Sequence, residues 1–120
     1  MHELAITQGI LAVAVEAAQQ NGGKKIRTIN LVVGELSSIV DDSVQFYFDL
    51  LSRDTLAEEA TLGFRREPAI VRCLNCSHQF QASVPLMPLC LACGSTRLQV
   101  CGGREFYVES IEVDDDHSGS

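Results

Sequence analysis

Two short cysteine pairs restrict this chain more than any other feature. Cys73-Leu74-Asn75-Cys76 and Cys90-Leu91-Ala92-Cys93 are C-x2-C steps with 13 residues between them, a spacer slightly shorter than such sites usually carry. Two residues between cysteines let a tight turn aim both thiolates at one ion, and two such turns close a tetrahedron around Zn2+ with no open position. A closed four-thiolate site is structural rather than catalytic. Gly94 suits the turn after the second pair, and Ser77 stands in the corresponding place after the first. Redox dithiols, separate core thiols and an iron-sulfur cluster are the alternatives the residues leave open. Cys101 lies outside both pairs and reads as a small half-buried strand thiol; His78 reads as a partly exposed loop histidine.

The length of 120 residues suits one ordinary domain with a small metal-stabilised appendage. With 46% hydrophobic and 21% charged residues, the composition is that of a soluble globular protein, and no apolar tract approaches the about 18 residues a membrane span needs. The N-terminus has no basic stretch before an apolar core, so a cytoplasmic chain with reduced thiols is expected. A net charge of −7 and a pI near 4.8 oppose nucleic-acid binding, which needs a surplus of Lys and Arg; they suit protein partners or cations. Residues 114–120, with Asp114-Asp115-Asp116 and nothing apolar to bury, read as a disordered acidic tail.

Periodicity supplies the elements. From Leu4 to Gln20 the residues Ile6, Ile10, Val13, Ala14 and Ala17 recur at helical spacing, and Gly22-Gly23 ends that helix. Ile26 to Leu36 reads as a strand, with Gly34 as a candidate bulge. Asp41 or Asp42 is placed to cap a second helix, whose apolar face is Val44, Tyr47, Phe48 and Leu51, widened by Phe46 and Leu50. Leu62 and Phe64 mark a strand that Pro68 interrupts before Cys73. Leu98 and Val100 suggest a short strand, Gly102-Gly103 a turn, and 106–113 a last strand with apolar residues on both faces, as a central strand would have. The expected class is α+β, two helices packed on a small mixed sheet with an inserted zinc-ribbon lobe. Residues 1–70 with 98–113 would form the main domain and 71–97 the zinc-binding lobe.

Position two carries the remaining chemistry. A free Met1 amine, the deprotonated amide nitrogen of His2 and the His2 imidazole Nδ1 can close adjacent chelate rings around one ion, and nitrogen in a plane suits Ni(II) and Cu(II). By the residues alone, an ordinary exposed histidine near a helix start is the simpler reading.

The start Met1-His2-Glu3-Leu4, the segment Gly34-Glu35-Leu36-Ser37, the paired cysteine steps, and Gly103-Arg104-Glu105 before Glu109-Ser110-Ile111-Glu112-Val113 together resemble the HypA/HybF family of hydrogenase nickel-incorporation proteins. The resemblance runs in order from Met1 to about Val113. It implies a non-enzymatic metallochaperone that takes up nickel at its N-terminus and passes it to the immature large subunit of a nickel-iron hydrogenase. The implied nickel site is Met1 and His2 with Glu3, and the implied zinc ligands are Cys73, Cys76, Cys90 and Cys93. Implied partners are a HypB-type GTPase, the hydrogenase large subunit and, in some organisms, the urease maturation machinery. Ser77, Cys101 and the acidic tail depart from the family pattern. A zinc-ribbon protein-interaction module without nickel chemistry is the competing reading.

Overall fold

A computed structural model of the chain describes residues 3–82 and 89–114. The elements follow in the order α1 (Glu3–Gln20), β1 (Ile26–Gly34), α2 (Asp41–Leu51), β2 (Thr61–Glu67), β3 (Ala69–Cys73), β4 (Gln79–Ala82), β5 (Leu98–Gly102) and β6 (Phe106–Val113). They form two three-stranded sheets, ordered β2-β1-β6 and β4-β3-β5. The chain is α+β, as expected. It divides into two compact units, one of residues 1–31, 39–65 and 107–120, the other of residues 32–38 and 66–106.

In the first unit α1 packs against α2. The α1 residues that bury are Glu3, Thr7, Ile10, Ala14 and Ala18. Of the expected face Ile10 and Ala14 are buried and Ile6 and Ala17 half-buried, but Val13 is 55% exposed, so the buried side is turned toward Glu3, Thr7 and Ala18. The helix is apolar nearly all round, so hydrophobic periodicity could not single out one side. Gly22 and Gly23 end it at φ +102° and +70°, and the Gly23 amide donates to the Ala18 carbonyl at 2.8 Å, satisfying an orphan acceptor of the last turn.

In α2, Val44 and Phe48 are buried, whereas Phe46 and Leu50 are exposed and do not widen the core face. The expected aspartate cap is also corrected. Val40 is the N-cap, without a side-chain cap bond, and Asp41 and Asp42 occupy the first turn, where their charge favours the positive helix end. Ile26, Ile29, Leu31 and Leu62 complete the apolar interior of this unit.

The centre of the β2-β1-β6 sheet is β1, whose last residues Leu31, Val32, Val33 and Gly34 are all buried. Strand β6 lies at an edge and holds no fully buried residue, against the expectation of a central strand. Apolar residues on both of its faces did not identify the centre; the run of consecutive buried aliphatics in β1 does.

The second unit contains two of the short segments that carry the resemblance, at 34–37 and 103–105. They meet by backbone hydrogen bonds from Gly34 to Glu105 at 2.7 Å and from Leu36 to Gly103, while Glu35 donates to Glu67 at 2.9 Å. A Cβ at Gly34 would strike the Gly103 carbonyl, and Gly103 itself sits at φ +105°, so close backbone approach requires glycine on both sides. Strand β3 pairs antiparallel with β4, Arg72 opposite Gln79, and with β5, Cys73 opposite Leu98. The four-residue β4 was not foreseen; its Gln-Phe-Gln-Ala pattern is too short to stand out, and the hairpin through the first cysteine turn creates it.

Candidate metal centre

The second unit brings the four paired cysteines together. Cys73 closes β3, Cys76 lies in the turn that follows, and Cys90 and Cys93 flank an equivalent turn before β5. Their four Sγ atoms all lie within 4.8 Å of one another. Cys73 and Cys93 are separated by 3.6 Å, as are Cys76 and Cys90. A tetrahedral zinc site with Zn–S bonds of about 2.3 Å has edges of about 3.8 Å, so this donor set fits zinc.

The two turns are built on one hydrogen-bond pattern. Cys73 Sγ accepts from the amides of Asn75 and Cys76 at 3.3 and 3.5 Å, and Cys90 Sγ from those of Ala92 and Cys93 at 3.3 and 3.4 Å. The Cys73 amide donates to His78 and the Cys90 amide to Ser95, both at 2.8 Å; Ser77 donates back to Cys73 at 3.0 Å and Gly94 to Cys90 at 2.9 Å. Both turns therefore close through a left-handed residue, Ser77 at φ 65° and Gly94 at φ 76°. Glycine adopts this conformation freely and serine does not. The Leu74 amide donates to the Arg97 carbonyl at 2.8 Å, joining the first turn to the segment that follows the second.

Four thiols this close cannot all ionise unaided, because each thiolate opposes the next. The Cys76 amide, helped by that of Asn75 and by neighbouring thiols, lowers Cys73 to about 6. Cys90 is also lowered; burial opposes this, but the amides of Cys93 and Ala92 outweigh it. The other two go the opposite way. Although the Ser95 amide favours its thiolate, burial and the other three thiols push Cys93 up to about 12. Cys76 is raised by burial and by Cys90 and Cys73, against the His78 amide. A divalent cation reverses this balance by drawing all four sulfurs to the thiolate form.

Cys101 is exposed rather than half-buried and stands apart from this group. His78 is exposed, as expected, and stacks on Phe80 with ring centroids 5.5 Å apart.

At the other expected site, Met1 and His2 lie outside the described residues. Glu3 is described and is only 5% exposed. It opens α1, and its carboxylate accepts from the Val40 amide at the N-cap of α2 at 3.4 Å. A buried carboxylate is costly unless held by donors, and this one sits at the positive ends of two helices. The anchoring role of Glu3 had no signal in the sequence, because it depends on where the distant Val40 arrives.

Comparison with known proteins places this geometry in a family. Residues 1–113 match the family described as "Hydrogenase/urease nickel incorporation, metallochaperone, hypA". A hydrogenase maturation factor HypA from Dehalococcoides mccartyi is 44% identical over 120 residues, covering 100% of both chains. The factor of that name from Nostoc sp. is 41% identical over 115 residues, covering 96% of this chain and 97% of its own. A solution structure of a HypA protein aligns with TM-score 0.71 at 25% identity, covering 94% of this chain and 96% of that one. The Ni metallochaperone HypA from Helicobacter pylori shares the fold, with TM-score 0.66 at 24% identity and coverage of 94% and 97%. The chain belongs to the HypA family of nickel-incorporation metallochaperones that serve hydrogenase maturation.

Proposed function

We propose that this chain binds Ni(II) at its N-terminus and delivers it to the large subunit of a nickel-iron hydrogenase. The observation that carries the reading is the family match from residue 1 to 113 on a chain that begins Met1-His2-Glu3. The Met1 amine, the His2 amide nitrogen and the His2 imidazole supply the planar nitrogen set, which suits Ni(II). Glu3 serves the site chiefly by holding the start of α1 against Val40. The chain performs no catalysis. Its cargo passes to an acceptor with a better-matched coordination shell.

Cys73, Cys76, Cys90 and Cys93 hold a structural zinc, which supplies a closed cross-link between the two turns. The chain acts in the cytoplasm with a HypB-type GTPase and the hydrogenase large subunit, and with urease maturation proteins where urease is present. No helix among the described residues is long and apolar enough to cross a membrane.

Nickel titration of untagged, zinc-loaded protein with a native Met1, read by calorimetry and visible absorption, tests the reading. One nickel with a planar-type spectrum, lost in His2→Ala and in an N-terminally extended form, is the expected result. Binding that ignores both changes would instead leave a zinc-stabilised interaction module. Glu3→Gln keeps an acceptor for the Val40 amide and is expected to retain most nickel affinity, whereas Glu3→Ala loosens the helix start. A Glu3→Gln variant as deficient as His2→Ala would make Glu3 a direct ligand.

A further inference from the structure

Charge is spread unevenly along this chain. From 68 to 104 the sequence has three arginines, Arg72, Arg97 and Arg104, and no Asp or Glu; all 16 acidic residues lie outside that stretch. The stretch falls wholly within the second unit and contains both cysteine turns. Holding zinc does not require such a composition, since the ligands are the sulfurs alone.

The same stretch exposes apolar side chains. Leu74 follows Cys73, and Leu89 and Leu91 flank Cys90; they are 46%, 42% and 63% exposed. A single leucine at a surface requires no explanation, but three beside one four-sulfur cluster form an apolar patch on a small lobe. Arg97 borders it. Its carbonyl accepts from the Leu74 amide at 2.8 Å, and its guanidinium donates to the Asn75 side-chain oxygen at 3.4 Å. Arg72 is exposed and lies opposite Gln79 on one side and Gln99 on the other, so its neighbours in register are amides rather than carboxylates. Four thiolates around Zn2+ leave negative charge on the cluster, which the amides of Asn75, Cys76, Ala92 and Cys93 partly offset.

We propose that this face of the cysteine lobe docks an acidic segment of a partner protein, one in which a bulky apolar side chain is flanked by Asp or Glu. The apolar side chain covers Leu74 and Leu91, and a flanking carboxylate pairs with Arg97 beside Leu74. The sign of the charge selects the partner class. A basic segment would be drawn to the acid-rich remainder of the chain instead. A nucleic acid carries an anion at every nucleotide, so the 16 carboxylates elsewhere repel it, and it would meet leucines where single-strand binders offer aromatic rings. The docking uses none of the nickel chemistry, so neither reading depends on the other.

A random dodecapeptide library displayed on phage tests this, selected in parallel on full-length zinc-loaded protein and on its Leu74→Ser/Leu91→Ser double variant. Both positions are exposed and neither is a ligand, so the variant keeps its fold and its zinc; circular dichroism and metal analysis check this, and Leu91→Ser alone replaces it if zinc is lost. Peptides recovered on the parent protein and not on the variant should carry Asp or Glu on both sides of Leu, Phe or Trp. A fluorescein-labelled copy of the strongest should lose at least about tenfold in affinity on the double variant. In Arg97→Gln it should lose about threefold, a loss that shrinks at high salt. The peptide should also slow the extraction of zinc by a chelator, because Cys76 and Cys93 are exposed in the same two turns and become covered. A basic or uncharged consensus, or no peptide that depends on the leucines, overturns the proposal. So does a single-stranded oligonucleotide that binds as tightly through Arg97, or a change in the mass of the free chain on Leu74→Ser/Leu91→Ser substitution, which would assign the surface to a nucleic acid or to a second copy.

Discussion

The two units of this chain reach stability by different means. The first has a conventional apolar interior in which Ile10, Ile26, Ile29, Leu31, Val44, Phe48 and Leu62 are buried between helices and strands. In the second, the buried side chains are mainly Val32, Val33, Ala69, Val71 and the two ligand candidates Cys73 and Cys90, while Leu74, Leu89 and Leu91 stay exposed. A unit with so little apolar material needs a cross-link or a metal. Burial organises one half, and coordination is expected to organise the other.

The sharpest break of that comparison is removal of the metal. Structural zinc contributes roughly 10–16 kcal/mol of apparent folding free energy in small domains. Cys73→Ser or a strong chelator is therefore expected to melt the pairing of β3 with β4 and β5 and to leave α1 and α2 folded. Amide exchange resolved by residue would show it. Equal loss of protection in both units would mean that they fold as one.

The converse change is Phe48→Ala, which empties a fully buried position in the first unit and should cost about 3–5 kcal/mol. Thermal unfolding would fall sharply while the zinc content of the folded protein stays at one ion. Zinc loss at temperatures where the variant is still folded would break the distinction.

Metal binding should also carry a proton signature confined to the second unit. At neutral pH the raised thiols Cys76 and Cys93 are protonated, so zinc must expel their protons; Cys73, lowered to about 6, gives up none. As pH falls through about 6, Cys73 gains a proton as well, and the decline of affinity with pH steepens. The thiolates' contribution to stability is thus present at high pH and lost on acidification. Calorimetry in two buffers of different ionisation enthalpy counts the protons, and a count that does not rise below pH 6 would contradict the assigned order of acidity.

The smallest effect compares the two cysteine turns with each other. Ser77 and Gly94 occupy the same left-handed position, so Ser77→Gly removes a steric cost and should stabilise the zinc-loaded form by up to about 1 kcal/mol. Gly94→Ser should cost a similar amount. Denaturant titration of zinc-loaded protein reads both, and a destabilising Ser77→Gly would mean that the serine side chain has a role of its own.

The legible and illegible parts of this fold divide on physical grounds. The cysteine site was readable because its chemistry is local: two residues of spacing impose a turn whatever surrounds it. The stop of α1 at Gly22-Gly23 and the strand that begins at Ile26 were readable for the same reason. The buried face of α1 was legible only in part, at Ile10 and Ala14, because Ile6, Val13, Leu11 and Val15 offer competing apolar directions. Nor was the edge position of β6, since Phe106, Val108, Ile111 and Val113 would suit a central strand equally well.

What the sequence determined by itself, then, was the class of metal site, most of the elements and the family, all carried by short spacings and fixed motifs. Tertiary structure decided which side of α1 is inside, that Glu3 answers to Val40, that Gly34 must be glycine because Gly103 lies against it, and that Cys101 is exposed rather than half-buried. These depend on residues tens of positions apart arriving at one point. A local pattern constrains the backbone near it, but only the closed fold selects its distant neighbour.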